Sequence, residues 1–103
     1  MSPTAVKATL QVIHAADRPL QDMAYPLEGE VTIGRGDENT LVLTSDQASR
    51  HHASIRPDSG GHLLADLGST NGTFVNSKPV QERRLVHGDV IRIASTVLKY
   101  VVG

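Results

Sequence analysis

The sequence predicts an all-β fold, an antiparallel sandwich or barrel. Short runs that mix β-branched and apolar residues recur along the chain, and each is bounded by a cluster of Gly, Pro, Asn, Asp or Ser. Strands and turns spaced in this way are typical of antiparallel sandwiches and barrels. No window of helical length carries an apolar stripe at the helical period, so we expect little helix.

The individual strands follow from these runs. An edge strand is expected at residues 23–27, because it contains Pro26 and proline is tolerated at a sheet edge. The alternating run 53–55 is expected to stop at Pro57, which cannot donate to a strand ladder. The other strands are predicted at residues 9–13, 31–33, 41–43, 63–65, 73–75, 90–93 and 97–102.

Length and composition restrict the function. The chain has 103 residues, enough for one domain and too few for two. A net charge of -1 and 3% aromatic residues argue against nucleic acid as a partner, and the charged run 81–84 is expected to be solvated surface. We find no signal peptide and no membrane-spanning run. The zero cysteine count excludes disulfides and fits a reducing, cytoplasmic compartment.

One turn carries more polar groups than a turn requires. Asn71-Gly72 between two strands is the usual signature of a hairpin, because both residues tolerate positive φ. That interpretation leaves the hydroxyls of Ser69, Thr70 and Thr73 unexplained. Hydroxyls and amides raised on a turn are suited to an oxygen-rich partner.

Two further turns carry similar chemistry. Arg35 lies between two glycines just after a predicted strand, and Ser49-Arg50 precedes another. Taken singly, Arg35 is typical of solvated surface and Ser49 of a turn. Taken together, the three turns resemble those of the forkhead-associated (FHA) domain. The motifs that carry the resemblance are Gly34-Arg35, Ser49-Arg50 with His52 and Ile55, the stretch from Asp66 to Asn76 (DLGSTNGTFVN), and Leu85 with Gly88-Asp89-Val90-Ile91-Arg92-Ile93.

The resemblance implies a sandwich of about eleven strands in two sheets, of the FHA/SMAD-like type. It makes residues 1–103 a single FHA domain with its core at 10–102 and a flexible segment at 1–8. It also implies a non-catalytic, monomeric module that recognises phosphothreonine in a partner protein and forms part of a larger signalling protein. The alternative is a module of the same fold that binds unphosphorylated protein.

The resemblance assigns roles to individual residues. Phosphothreonine carries about -1.5 to -2 charges and three acceptor oxygens, which suit arginine and hydroxyl donors. His52 is expected to brace the binding loops, and Gly34 and Gly72 to permit the backbone geometry. The residues expected to contact the phosphopeptide are Arg35, Ser49, Arg50, Thr70 and Asn71.

Other interpretations are weaker. A triad of Ser49, His52 and Asp66 lacks a nucleophile elbow, so we expect no enzyme activity. We expect no cofactor and no metal site, because adjacent strand residues such as His51 and His52 face opposite sides. His62 occupies a position where the family commonly has an aromatic residue, so that sheet face is expected to be less well packed.

Overall fold

Two β-sheets account for the regular structure in the computed structural model, which describes residues 7–15 and 23–103. All strand pairings are antiparallel except that of β3 with β4, which is parallel. The strands are β1 (Ala8–His14), β2 (Ala24–Pro26), β3 (Val31–Gly34), β4 (Leu41–Val42), β5 (Ala53–Asp58), β6 (Gly61–Asp66), β7 (Thr73–Val75), β8 (Lys78–Val80), β9 (Glu82–Arg84), β10 (Val90–Ile93) and β11 (Thr96–Val102).

The strand order is β2-β1-β11-β10-β7-β8 in the six-stranded sheet and β4-β3-β5-β6-β9 in the five-stranded sheet. The predicted all-β sandwich is therefore confirmed, and the barrel alternative is not. The core lies between the sheets, because alternate residues of each strand face inward. In β10, Ile91 and Ile93 are fully buried, whereas Val90 and Arg92 are exposed. Burying one such aliphatic side chain contributes about 1.5–3 kcal/mol.

Two short strands, β8 and β9, were not predicted from the sequence. β8 and β9 are three residues each, and each is the last strand of its sheet. Neither strand has a fully buried residue, so neither requires the apolar alternation of a core strand. The run 81–84, expected as solvated surface, therefore contributes β9, in which Arg83 is half-buried and hydrogen-bonds to Asp89.

β5 does not stop at Pro57 as predicted but continues to Asp58. Asp58 pairs with Gly61 across a two-residue turn in which Ser59 and Gly60 have φ of 51° and 83°. Pairs alternate between hydrogen-bonded and open next to such a turn, so Pro57 occupies an open position facing away from β6. On that side the pairing with β3 has already ended at Ile55, and no N–H is needed.

The expectation of a poorly packed sheet face at His62 is wrong. His62 is fully buried, and its Nδ1 lies 2.7 Å from the hydroxyl oxygen of Tyr100. The two rings meet edge to face with centroids 5.5 Å apart. The imidazole therefore takes the place of an aromatic ring and hydrogen-bonds across the core between the two sheets. Burial lowers the pKa of His62, although a contact with the backbone of Leu27 opposes the shift.

The structure describes only part of the amino-terminal region for which the sequence predicts a flexible segment and an edge strand. Residues 1–6 of the expected flexible segment 1–8 lie outside the described residues, as do residues 16–22. Ala8, by contrast, is buried and pairs with Val102 at the start of β1. The edge strand expected at 23–27 is β2, which pairs with β1 and with no other strand in the part of the chain that the structure describes.

Candidate functional site

The five residues predicted to contact a phosphopeptide come together in one open cleft of about 330 Å³. They reach it from three loops at one end of the sandwich, residues 35–40, 43–52 and 67–72. The cleft is lined by Arg35, Asp46, Gln47, Ala48, Ser49, Arg50, Thr70 and Asn71.

Close packing at Gly34 sets the position of the first loop. A Cβ at this residue would lie 2.2 Å from the carbonyl oxygen of Arg50, so only glycine allows the two backbones to approach. Beyond this contact, the N–H of Arg35 donates to the carbonyl of Ser49 at 2.9 Å, and that of Gly36 to Arg50 at 3.0 Å. Gly34 therefore has the backbone-permitting place predicted for it, through close approach rather than positive φ.

Asn39 reinforces the same junction from within. It is buried, and its Nδ2 donates to the carbonyl oxygens of Gly36 at 2.8 Å and Arg50 at 2.7 Å. Arg35 is additionally tethered, because its Nε donates to the carbonyl oxygen of Ala48 at 3.2 Å. The terminal nitrogens of its guanidinium group make no hydrogen bond to the described residues.

His52 connects the second loop to the third. It is fully buried, and its Nδ1 accepts the N–H of Ser49 at 3.0 Å. A ring whose Nδ1 accepts must carry its proton on Nε2 when neutral, and Nε2 lies 2.9 Å from the carbonyl oxygen of Gly72. Gly72 has φ of 87°, the left-handed conformation that favours glycine. His52 thus lies where a brace between the loops must lie.

Asp66 organises the third loop. Its Oδ2 accepts the N–H groups of Gly68 and Ser69 at 3.1 Å, and its Oδ1 accepts the hydroxyls of Ser69 and Thr73. Ser69 in turn accepts the N–H of Gly72 at 3.0 Å. The Ser69 and Thr73 hydroxyls are therefore turned inward to the loop's own carboxylate rather than outward to a ligand.

The same contacts set the ionisation of Asp66. Burial by itself would raise the pKa of Asp66, but the hydrogen bonds from Ser69, Thr73 and Gly68 outweigh it and hold the pKa below its ordinary value. The carboxylate is thus stabilised in its charged form, because every one of these bonds is donated to it. The loop depends on that charge.

Two hydrogen bonds join the loops at the cleft itself. The hydroxyl oxygen of Ser49 accepts the N–H of Thr70 at 3.0 Å. The Nδ2 of Asn71 donates to the carbonyl oxygen of Gln47 at 2.8 Å and lies 3.3 Å from its Oε1. The NH₂ group of Asn71 is therefore hydrogen-bonded to Gln47, and its Oδ1 remains available as an acceptor.

Sequence reasoning missed the supporting residues Gln47, Asn39 and the role of Asp66. Asp66 carried a signal, since a carboxylate placed two and three residues before Gly68 and Ser69 is a common way to cap a turn. Asn39 and Gln47 carried none that is visible in the sequence. Asn39 hydrogen-bonds to Arg50, 11 residues farther along the chain. Gln47 accepts a hydrogen bond from Asn71, 24 residues farther along.

Two arginines, Arg35 and Arg50, line the cleft. Within the described ranges, neither Arg35 nor Arg50 has a carboxylate within ion-pair distance, although Arg83 and Arg84 elsewhere are paired. Asp46 lines the cleft without reaching either arginine. Across residues 7–15 and 23–103, no three His, Asp or Glu side chains are grouped as metal ligands would be. The same residues contain no helix long and apolar enough to cross a membrane.

The structure is a two-sheet sandwich whose end loops form one cleft, lined by two arginines and by serine and threonine residues. The chain belongs to the FHA domain family, whose match covers residues 31–94. The family resemblance predicted from the sequence is therefore confirmed. FHA domains are phosphopeptide-binding modules rather than enzymes.

Two mycobacterial proteins are among those to which the chain is similar. The FHA domain-containing protein FhaA of Mycobacterium tuberculosis is 53% identical over 66 residues, which is 64% of this chain and 12% of FhaA. FhaB of Mycolicibacterium smegmatis is 43% identical over 70 residues, covering 67% of this chain and 45% of FhaB. The chain thus spans less than half the length of either relative.

Solved structures share the fold. The FHA domain of FhaA, complexed with the intracellular domain of Rv3910, has a TM-score of 0.78 and 44% identity, covering 90% of this chain and 98% of that one. Mycobacterium tuberculosis EmbR, in complex with a low-affinity phosphopeptide, has a TM-score of 0.84 and 32% identity. Coverage in that case is 95% of this chain and 25% of EmbR.

Proposed function

We propose that this chain is a non-catalytic module that binds a phosphothreonine-bearing segment of a partner protein, within a larger signalling protein. The observation that carries the proposal is the pair of arginines, Arg35 and Arg50, that line one cleft without a carboxylate partner among the described residues. Arginine forms strong, charge-assisted hydrogen bonds to phosphate, so two arginines that converge on one cleft suit an anionic ligand.

The remaining donors suit a phosphate group. Arg35 has only its Nε engaged, so four N–H bonds of its guanidinium group are available. Ser49 accepts the Thr70 N–H through its oxygen, which leaves the hydroxyl proton free to be donated. The Thr70 hydroxyl lies beside it in the same cleft. Arginine and hydroxyl donors match a group with three acceptor oxygens.

Asn71 has a different task in this proposal. Because its Nδ2 is bound to Gln47, the side chain presents Oδ1, an acceptor, to the cleft. A backbone N–H of the bound peptide is the natural donor to that oxygen. Asn71 then recognises the peptide chain beside the phosphate, and Gln47 fixes its orientation.

The relatives support this function. One FHA domain with 42% identity and a TM-score of 0.81 comes from a study of phosphothreonine-dependent FHA domain interactions, and EmbR was solved with a phosphopeptide. A cytoplasmic location is part of the same proposal. The zero cysteine count is consistent with a reducing compartment.

The test is a screen of the chain against a degenerate phosphothreonine peptide library, followed by isothermal titration of the selected peptide. Arg35→Ala should lose about 2–4 kcal/mol of binding free energy, from charge-assisted bonds worth roughly 1.5–3 kcal/mol each. At about 1.4 kcal/mol per factor of ten, affinity falls at least tenfold. Ser49→Ala should lose less, because it removes a neutral donor.

The matched control is Arg56→Ala, which removes an exposed arginine of β5 that does not line the cleft. Its affinity should equal that of the wild type. Equal losses for Arg35→Ala and Arg56→Ala would mean that general surface charge, rather than the cleft, attracts the peptide, and would overturn the assignment of the site.

A further inference from the structure

A second arginine site lies on the outer face of the six-stranded sheet. The guanidinium carbon of Arg92 lies 4.4 Å from the centroid of the Phe74 ring. Both side chains point outward, because Arg92 and Phe74 are opposite each other in the β7–β10 register and their strand neighbours Ile91 and Val75 are buried. The ring covers one face of the guanidinium group and holds it in place.

Arg92 has no anionic partner among the described residues. It makes neither an ion pair nor a side-chain hydrogen bond there, in contrast to Arg83 and Arg84. Stacking on Phe74 uses the flat face of the guanidinium group and leaves its N–H edges available. An arginine fixed in orientation, with its donors unused, is suited to a carboxylate from outside the chain.

The surroundings of Arg92 connect it to the phosphate cleft. A groove of about 310 Å³ lies between Phe74, Arg92 and Ser95, and it shares Gln47 and Asn71 with the cleft. On the other side of Arg92, a shallow groove of about 390 Å³ is lined by Val90 and Val97. Among residues 7–15 and 23–103, no aspartate or glutamate lines either groove.

We propose that the phosphorylated partner segment continues from the phosphate cleft along these grooves and places an aspartate or glutamate on Arg92. An apolar residue beyond it would lie against Val90 and Val97. Two observations identify this occupant. The first groove shares Gln47 and Asn71 with the cleft and Arg92 with the second groove, and Arg92 is the one charged residue that the described part of the chain contributes to either groove. The inference rests on the proposed function, because the phosphothreonine anchors the segment.

Asp46 restricts the expected preference for an acidic residue to one part of the bound peptide. Its carboxylate lines the phosphate cleft and disfavours acidic residues close to the phosphothreonine. Arg92 favours them farther along. The preference is thus for one acidic residue at a fixed spacing from the phosphothreonine, not for an acidic peptide as a whole.

The experiment is selection from an oriented library with fixed phosphothreonine and all flanking positions degenerate, run on the wild type, Arg92→Glu and the control Arg56→Glu. The wild type and Arg56→Glu should select Asp or Glu at one common position. Arg92→Glu should lose that selection and favour Lys or Arg there. In titrations, replacing the selected acid by Lys should weaken wild-type binding by about tenfold, because a partly exposed attraction becomes a repulsion.

Melting curves on each variant show whether it is folded. If Arg92→Glu is unfolded, Arg92→Gln replaces it, and it should bind the acidic and lysine peptides with equal affinity. An unchanged acidic preference in the Arg92 variants, or no acidic preference in the wild type, overturns this inference while phosphate-dependent binding stands. Failure of the wild type to bind any library phosphopeptide overturns the proposed function itself, and this inference with it.

Discussion

The imidazole Nε2 of His52 lies 2.9 Å from the carbonyl oxygen of Gly72, 20 residues farther along the chain. The other ring nitrogen accepts the N–H of Ser49. One buried ring thus joins the loop that carries Ser49 and Arg50 to the loop that carries Thr70 and Asn71. The geometry of the cleft depends on this ring, although His52 itself does not line the cleft.

We therefore expect His52→Ala to lower stability and phosphopeptide affinity together. The substitution leaves the Ser49 N–H and the Gly72 carbonyl without their partner, at about 1–3 kcal/mol of unfolding free energy. Urea unfolding and titration measure the two effects. His51→Ala is the control, because His51 is exposed and only pairs with Glu38. Lost binding at unchanged stability would make His52 a direct ligand contact.

Asp66→Asn should destabilise the chain and weaken binding. An amide can accept at only one of the two positions at which Asp66 now receives hydrogen bonds. Its NH₂ group must face either the N–H donors of Gly68 and Ser69 or the hydroxyls of Ser69 and Thr73. We expect a loss of about 1–3 kcal/mol in unfolding free energy. Asp37→Asn removes the same charge from an exposed residue with no bonded partner in the described structure. If the two variants unfold at the same urea concentration, the loop is not held by Asp66.

Gly34→Ala should separate the first two loops. The added Cβ would lie 2.2 Å from the carbonyl oxygen of Arg50, a backbone atom that cannot rotate away. Overpacking of this kind costs about 1–3 kcal/mol, and the shift displaces Arg50 from the cleft. Gly61→Ala is the matched control, with its nearest atom at 3.6 Å. A Gly34→Ala variant with wild-type melting temperature and affinity would contradict the close approach.

Stability should decline on mild acidification because of His62. In the unfolded chain this histidine takes up a proton near pH 6.5, whereas burial lowers its pKa in the folded state. Below about pH 6.5 the unfolded state then binds more protons, and unfolding free energy is lost at up to about 1.4 kcal/mol per pH unit. His62→Gln should show a flatter profile between about pH 7.5 and 5.5. Parallel profiles for the two proteins would exclude His62 as the cause.

Much of the fold was predictable because burial leaves a pattern. The strands from 73 to 75 and from 90 to 93 were predicted with their observed bounds, since each alternates between core and solvent. β8 and β9 were not, because short edge strands need no such alternation. The strand was wrongly predicted to stop at Pro57, because the missing N–H of proline disrupts a strand only where a neighbouring strand would accept it. β3 ends its pairing at Ile55, and that end depends on the sheet arrangement, which the local sequence does not show.

The candidate site was predictable to a lesser degree. The donor residues occur in recognisable motifs, and the structure gathers all five into one cleft. The sequence motif does not show whether a hydroxyl group faces the cleft or forms a hydrogen bond within its own loop. Ser69 and Thr70 are neighbours in the sequence, yet only Thr70 lines the cleft, because Asp66 binds the hydroxyl of Ser69. The pairing of Arg92 with Phe74 likewise requires the sheet register.

The most direct test of the central claim is a titration of the chain with a library-selected phosphothreonine peptide, its unphosphorylated twin and its phosphoserine analogue. The phosphothreonine peptide should bind measurably and the unphosphorylated twin should not, because Arg35 and Arg50 form no ion pair with the described residues and the phosphate group supplies the anion. The phosphoserine analogue should bind more weakly, because it lacks the threonine methyl group, whose burial on binding contributes about 0.8 kcal/mol. Equal affinity for the phosphorylated and unphosphorylated peptides would contradict phosphate recognition and favour a phosphate-independent interaction module.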